Sequence, residues 1–193
     1  MNTPAGHETM TGLPPDPAAR PAGARTIGVA IPVPEPYGSE LQGWRETFGD
    51  PLAGSIPTHV TLLPPTEVSA AALPDIIDHL RAVAARQLPF TIRLRGTATF
   101  RPVSPVVFVA LVEGISSCEW LQAAVRSGSL ARELHFPYHP HVTIAHDLPE
   151  DALDRAFDKL ASYEARFPVA SFGLYEHGSD GVWRPQREFS FPG

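Results

Sequence analysis

Apolar and polar positions along this chain alternate with two different periods, and the places where the period changes divide it into elements. Between residues 26 and 31 a short apolar run (Ile27, Val29, Ala30, Ile31) is stopped by Pro32, Pro34 and Pro36, which predicts a buried strand. Leu41, Trp44 and Phe48 then recur at intervals of three and four, so residues 38–48 are expected to form a helix with one apolar face. Pro57 introduces a strand over 59–63, and Pro64-Pro65 are expected to terminate it. Leu73, Ile76, Ile77, Leu80 and Val83 stripe a helix over 69–86. Residues 90–100 alternate as a strand, and 106–112 form a continuous apolar strand after a proline-bounded turn. A helix near 117–126, a strand over 139–146 and a helix over 150–163, with Leu153, Phe157 and Leu160 on one face, come next. Two closing strands, 168–175 and 182–191, flank a Gly178-Ser179-Asp180-Gly181 hairpin turn.

Strand, helix, strand, helix, strand thus occurs twice, with one strand added. The repetition extends to individual residues: His59-Val60-Thr61 and His141-Val142-Thr143 occupy the second strand of each set, 82 positions apart. The strand before the second copy lies about the same distance beyond the first strand of the chain. The pattern predicts an internally duplicated α+β fold with pseudo-repeats at about 25–100 and 105–191. Such units pack about a pseudo-twofold axis, giving two antiparallel-sheet lobes with outer helices and a central cleft between them. Residues 25–193 are expected to form this single bilobal domain, and the Pro/Ala-rich residues 1–24 a disordered tail.

Side chains alternate faces along a strand, so in each copy the histidine and threonine share one face while the valine points into a core. Two such pairs face to face supply a proton donor, a proton acceptor and two hydroxyl donors. That set suffices for cleaving a phosphate ester without a metal.

Composition narrows the setting. At 193 residues and 43% hydrophobic, the chain can bury one sizeable core, and its formal net charge of −6 argues against a broad surface for polyanions. A nucleic-acid substrate would therefore be held by an end or a short piece. The single cysteine, Cys118, leaves no intramolecular disulfide or cysteine-based zinc cluster. With neither a signal-peptide stretch nor an apolar run long enough to span a bilayer, a cytoplasmic, monomeric enzyme is expected.

Two His-x-Thr-x motifs, His59-Val60-Thr61-Leu62 and His141-Val142-Thr143-Ile144, on strands of a duplicated α+β chain resemble the two-histidine phosphoesterase superfamily. The nearest branch is that of the bacterial 2′-5′ RNA ligases, or RNA 2′,3′-cyclic phosphodiesterases. The similarity covers nearly everything after Arg25. It implies that His59, Thr61, His141 and Thr143 are the catalytic residues, that no cofactor or metal is required, and that the substrates are RNA 3′ ends or small nucleotides carrying 2′,3′-cyclic phosphates. A 2′-5′ ligase or phosphodiesterase acting on oligonucleotides, and a non-catalytic phosphate-binding protein of the same fold, are the alternatives.

Other residues qualify the picture. His135, His139, His141 and His146 lie close enough in sequence to raise a metal site, but a zinc site usually recruits a carboxylate or thiolate, and Asp147 falls on the opposite strand face from His146. His139 is expected to line the cleft mouth or orient His141, with His135 in the loop. His7, His79 and His177 are expected in the tail, on a helix surface and in a turn. Arg101, Arg184 and Arg187 are candidates for flanking phosphates, and Phe136 and Tyr138 for stacking on a base.

Overall fold

The structure, a computed structural model, describes residues 23–134 and 136–193. The predicted tail residues up to 22, His7 among them, and His135 lie outside the described residues. The element order is β1 (Ala24–Pro32), α1 (Tyr37–Phe48), β2 (His59–Ser69), α2 (Leu73–Ala84), β3 (Phe90–Thr99), β4 (Val106–Glu113), α3 (Ile115–Val125), β5 (His141–His146), α4 (Glu150–Lys159), β6 (Glu164–Val169), β7 (Ser171–His177) and β8 (Trp183–Ser190).

All eight strands join one antiparallel sheet in the order β6-β3-β4-β5-β2-β1-β7-β8. The order is symmetric about its middle: β5 meets β2, flanked by β4 and β1, then by β3 and β7, then by β6 and β8. This is the duplicated α+β architecture, with an exchange that periodicity does not disclose. The strand closing the first sequence repeat, β3, pairs with β4, and β7 from the second repeat returns to β1. The halves of the sheet are therefore interleaved in sequence. The seam between them is narrow, with Val60 of β2 opposite Val142 of β5.

One face of the sheet carries the core. Ile27, Val29, Val60, Leu62, Val107, Val109, Val142 and Ile144 point there, and Leu41, Ile76, Leu80, Leu121 and Leu153 of the helices cover them. Burying each such side chain contributes about 1.5–3 kcal/mol, which makes the helix-to-sheet layer the main source of stability. The opposite face holds the motif histidines and threonines.

Two sequence expectations change. Pro64-Pro65 do not end β2, which continues to Ser69. Between Leu63 and Thr66 the β1–β2 register shifts, and this bulge carries both prolines past the ladder without requiring their missing N–H groups. The single strand expected over 168–175 is two: β6 pairs with β3, and after Ala170 the chain turns into β7 beside β1. No described helix is long and apolar enough to cross a membrane.

A buried polar brace holds the approach to the first motif. At the end of α1, Gly49 takes φ +87°, and the turn it allows brings Asp50 back onto Arg45. Arg45 Nε donates to Asp50 Oδ2 at 2.9 Å, and both side chains are buried. The same guanidinium donates to the Ile56 carbonyl at 2.6 Å, while Gln42 Oε1 accepts the Thr58 hydroxyl at 2.8 Å. The residues leading into His59 are thus fastened to α1. Removing one member of a buried pair strands the other charge, at a cost of about 3–5 kcal/mol. Asp50→Ala is expected to lose stability of that order in urea denaturation, and a change under about 1 kcal/mol would show the pair to be exposed to water in solution.

Candidate active site

The sheet register assembles the site. Antiparallel continuation of the Val60–Val142 pair sets His59 opposite Thr143 and Thr61 opposite His141. Two transverse rows result on the open face. One runs Pro32, His59, Thr143, Phe108, Ala98; the other runs Gly173, Ala30, Thr61, His141, Ala110. The four residues singled out by the repeated motif therefore form a compact square across the seam, each histidine diagonal to the other.

Both imidazoles are held in the same way. His59 Nδ1 donates to the Pro57 carbonyl at 2.6 Å, and His141 Nδ1 donates to the His139 carbonyl at 2.7 Å. In each case the acceptor lies two residues upstream. Fixing the proton on Nδ1 leaves Nε2 as the nitrogen that accepts or releases a proton. Thr61 Oγ1 lies 3.1 Å from His59 Nε2 and donates to it when the ring is neutral. A bound anion accepting that hydroxyl proton would free Nε2 for exchange.

The surroundings favour neutral rings. Burial pushes the His141 pKa down to about 4, and the nearby His139 and His59 rings add to that, whereas the His139 carbonyl pulls the other way. Burial also lowers His59, opposed by the Pro57 carbonyl and reinforced by the Arg45 charge. Desolvation dominates in both. A phosphate anion between the rings reverses the balance by stabilising one imidazolium.

Aromatic side chains frame the second motif. Phe100 meets His141 edge-on with centroids 5.0 Å apart, and Phe108 lies at 5.0 Å from the same ring. The exposed His139 packs on both phenylalanines, at 5.9 and 5.5 Å. The sequence offered little to reveal this: Phe108 sits in the continuous apolar strand 106–112, which reads as buried on both faces.

The remaining candidates separate clearly. Tyr138 does not present its ring as a free stacking surface; it packs against the core and donates its hydroxyl to the Thr61 carbonyl at 2.9 Å, tying the loop before β5 to β2. This bond spans the seam directly beneath the motif. Arg101 is engaged by Glu150 and Asp154 at 2.7 and 2.8 Å, and Arg184 by Asp180 at 2.6 Å, so both are already neutralised. Arg187 pairs in register with the core residue Leu174, and Phe136 is exposed. His79 is no mere surface residue, because Nε2 donates to the Val125 carbonyl at 3.1 Å and joins α2 to α3. His177 packs on Trp183. A bulge in β5 between Thr143 and Ala145 brings His146 opposite Val106, where Nε2 lies 3.2 Å from Asp147 Oδ2. Cys118, on the buried face of α3, has its thiol pKa pushed up to about 12 by desolvation, and so is inert.

Residues 32–181 match the family described as the 2′-5′ RNA ligase superfamily. The chain belongs to that superfamily. The match spans both motifs and both halves of the sheet. Among curated relatives, a Bacillus thuringiensis protein described provisionally as a phosphoesterase is 28% identical over 167 residues, covering 84% of this chain and 95% of its own. A Bacillus mycoides relative with the same description is also 28% identical over 167 residues. Among solved structures, TT0787 of Thermus thermophilus superposes with a TM-score of 0.58 at 26% identity, covering 87% of this chain and 98% of its own. E. coli LigT in its 3′-AMP complex gives a TM-score of 0.60 at 21% identity, over 88% of this chain and 99% of LigT, which shows a shared fold. This chain covers nearly the whole length of both solved structures, and its curated relatives carry phosphoesterase names.

Proposed function

We propose that this superfamily member is a metal-independent phosphodiesterase that opens 2′,3′-cyclic phosphates on nucleosides or RNA ends by two-histidine acid-base catalysis. The observation that carries this reading is the matched pair of imidazoles, each with Nδ1 tied to a backbone carbonyl and Nε2 left for proton transfer, across the seam from one another.

The reaction follows from that arrangement. The phosphate sits between the rings with its non-bridging oxygens toward the Thr61 and Thr143 hydroxyls. The neutral histidine takes a proton from water as the water oxygen bonds to phosphorus. On the opposite side the imidazolium gives its proton to the ribose oxygen as the P–O bond breaks. The hydroxyls donate to oxygens on which negative charge builds, and each such donor contributes about 10²–10³ to rate in comparable sites. The histidines end with their protonation states exchanged, and one proton transfer through solvent restores the starting state.

The superfamily's name points to a second substrate for the same machinery, a 2′-5′ phosphodiester, with the histidines exchanging roles between cleavage and joining. Product analysis separates the two. Incubation with a dinucleotide ending in a 2′,3′-cyclic phosphate is expected to give a dinucleotide monophosphate with its internucleotide bond intact. Release of mononucleotides from a 2′-5′-linked dinucleotide, without ring opening of the cyclic substrate, would make the 2′-5′ activity the principal one.

A further inference from the structure

The open face of the sheet continues past Thr61. Ala30 stands beside Thr61, Gly173 beside Ala30, and Glu188 beside Gly173, one on each successive strand. Strands lie about 4.8 Å apart, so Glu188 sits three strands, roughly 14 Å, from the threonine. The two positions between carry a methyl group and a hydrogen, and the Tyr175 ring lies over the glycine, which makes this stretch a shelf whose surface at Gly173 is an aromatic ring. The glycine's smallness is required: a Cβ on Gly173 would fall 2.8 Å from the Tyr175 ring, which folds over the glycine from two residues along the same strand. Pro32, the register partner of His59, joins Gly173, Tyr175, Pro185, Gln186 and Glu188 around an open hollow of about 290 Å³. The hollow therefore begins beside the first motif.

Its chemistry is graded along its length. The near end is apolar and flat, bounded by proline and an aromatic ring, which suits a planar heterocycle. The far end presents a carboxylate. Ser171 Oγ donates to Glu188 Oε1 at 2.5 Å and orients the group, and an ionised carboxylate with about four lone-pair sites still accepts further donors. The charge of Glu188, after burial, helps keep the Tyr175 hydroxyl protonated. Arg187 also lines the hollow, but its register with the core residue Leu174 puts it on the other face of β8 from Glu188, and Arg101 and Arg184 are held by carboxylates of their own, so a second phosphate on this face would meet negative charge.

We propose that this shelf is the nucleobase subsite of the candidate active site and that Glu188 selects guanine. Guanine presents its ring N1–H and exocyclic amino group side by side, the two-donor edge that one carboxylate accepts. Uracil presents a single N–H between two carbonyl oxygens, which the carboxylate repels. Phosphorus over the seam lies half a strand beyond Thr61, roughly 17 Å from the Glu188 backbone, and the Glu188 side chain and its hydrogen bond shorten that span to the reach of one extended nucleoside. This assignment rests on the cyclic-phosphate reading above.

The test is a comparison of kcat/KM for the guanosine, adenosine, cytidine and uridine 2′,3′-cyclic phosphates, with wild type, Glu188→Gln and Gly173→Ala. Wild type is expected to favour guanosine over uridine by about tenfold or more, the discrimination of one good bidentate contact. Glu188→Gln should lose that preference through a raised KM for guanosine and a lowered KM for uridine, whose carbonyl oxygens no longer meet a carboxylate, while kcat for both stays within about twofold and reports an intact fold. Gly173→Ala, by displacing the Tyr175 ring, should raise KM for all four. Equal use of all four by wild type, or a guanosine preference unchanged in Glu188→Gln, overturns the subsite. Failure of wild type to open any of the four overturns the cyclic-phosphate reading itself, and the subsite with it.

Discussion

His59→Ala and His141→Ala are each expected to lower kcat for cyclic-phosphate opening by about 10²–10⁴, the range that a positioned general acid or base contributes. The loss should appear in kcat and in kcat/KM alike, because the rings act on protons moving in the transition state rather than on ground-state binding. The double variant is not expected to multiply the two losses. Acid and base work on one phosphorus in a single displacement, so removing the second partner costs little once the first has gone. Both variants should fold: each ring lies on the open face of the sheet, while Val60 and Val142 keep the seam packed from the other side. A His59→Ala protein that retains wild-type turnover would remove His59 from the chemistry and leave a one-histidine site.

The second large effect is on pH dependence. Both imidazoles are lowered by burial in the free protein, His141 to about 4. The base must be neutral, so activity falls as pH drops through its pKa. The acid must be protonated, so activity falls as pH rises through its own. Because kcat/KM reports the free enzyme, its bell is expected to lie on the acid side of about 6.5, the ordinary histidine value, and to fall about tenfold per pH unit above that. The kcat profile reports the complex, in which the phosphate anion stabilises the imidazolium, so its alkaline limb should stand at higher pH. A kcat/KM profile flat from about pH 6.5 to 9 would be incompatible with a histidine acid. The apparent values belong to the pair, since each ring opposes protonation of the other.

Much of this was legible in the sequence because the motif is repeated. One His-Val-Thr is ordinary strand composition, but two copies in equivalent strands of a duplicated chain select four residues, and the β2–β5 register draws those four together. What stayed hidden depends on long-range pairing. Pro64-Pro65 look like a strand end, yet a bulge absorbs them, and no local signal announces a bulge supported by a neighbouring strand. The same limit concealed the exchange of β3 and β7 between halves, because strand period fixes which face a residue takes and says nothing about which strand lies beside it. Ala30, Gly173 and Glu188 are 158 positions apart end to end, and they form a shelf because β1, β7 and β8 are adjacent. Arg45 and Asp50 read as a helix-end pair, and only the packing of α1 against the segment before His59 makes them a brace.

Ring opening by two histidines without a metal is tested most directly by a phosphorus NMR time course. Wild type is incubated with guanosine 2′,3′-cyclic phosphate in excess EDTA. The cyclic resonance is expected to give way to that of a single phosphomonoester isomer, at a rate unchanged by the chelator. A cyclic resonance that persists in EDTA and disappears once a divalent cation is restored would contradict the two-histidine mechanism.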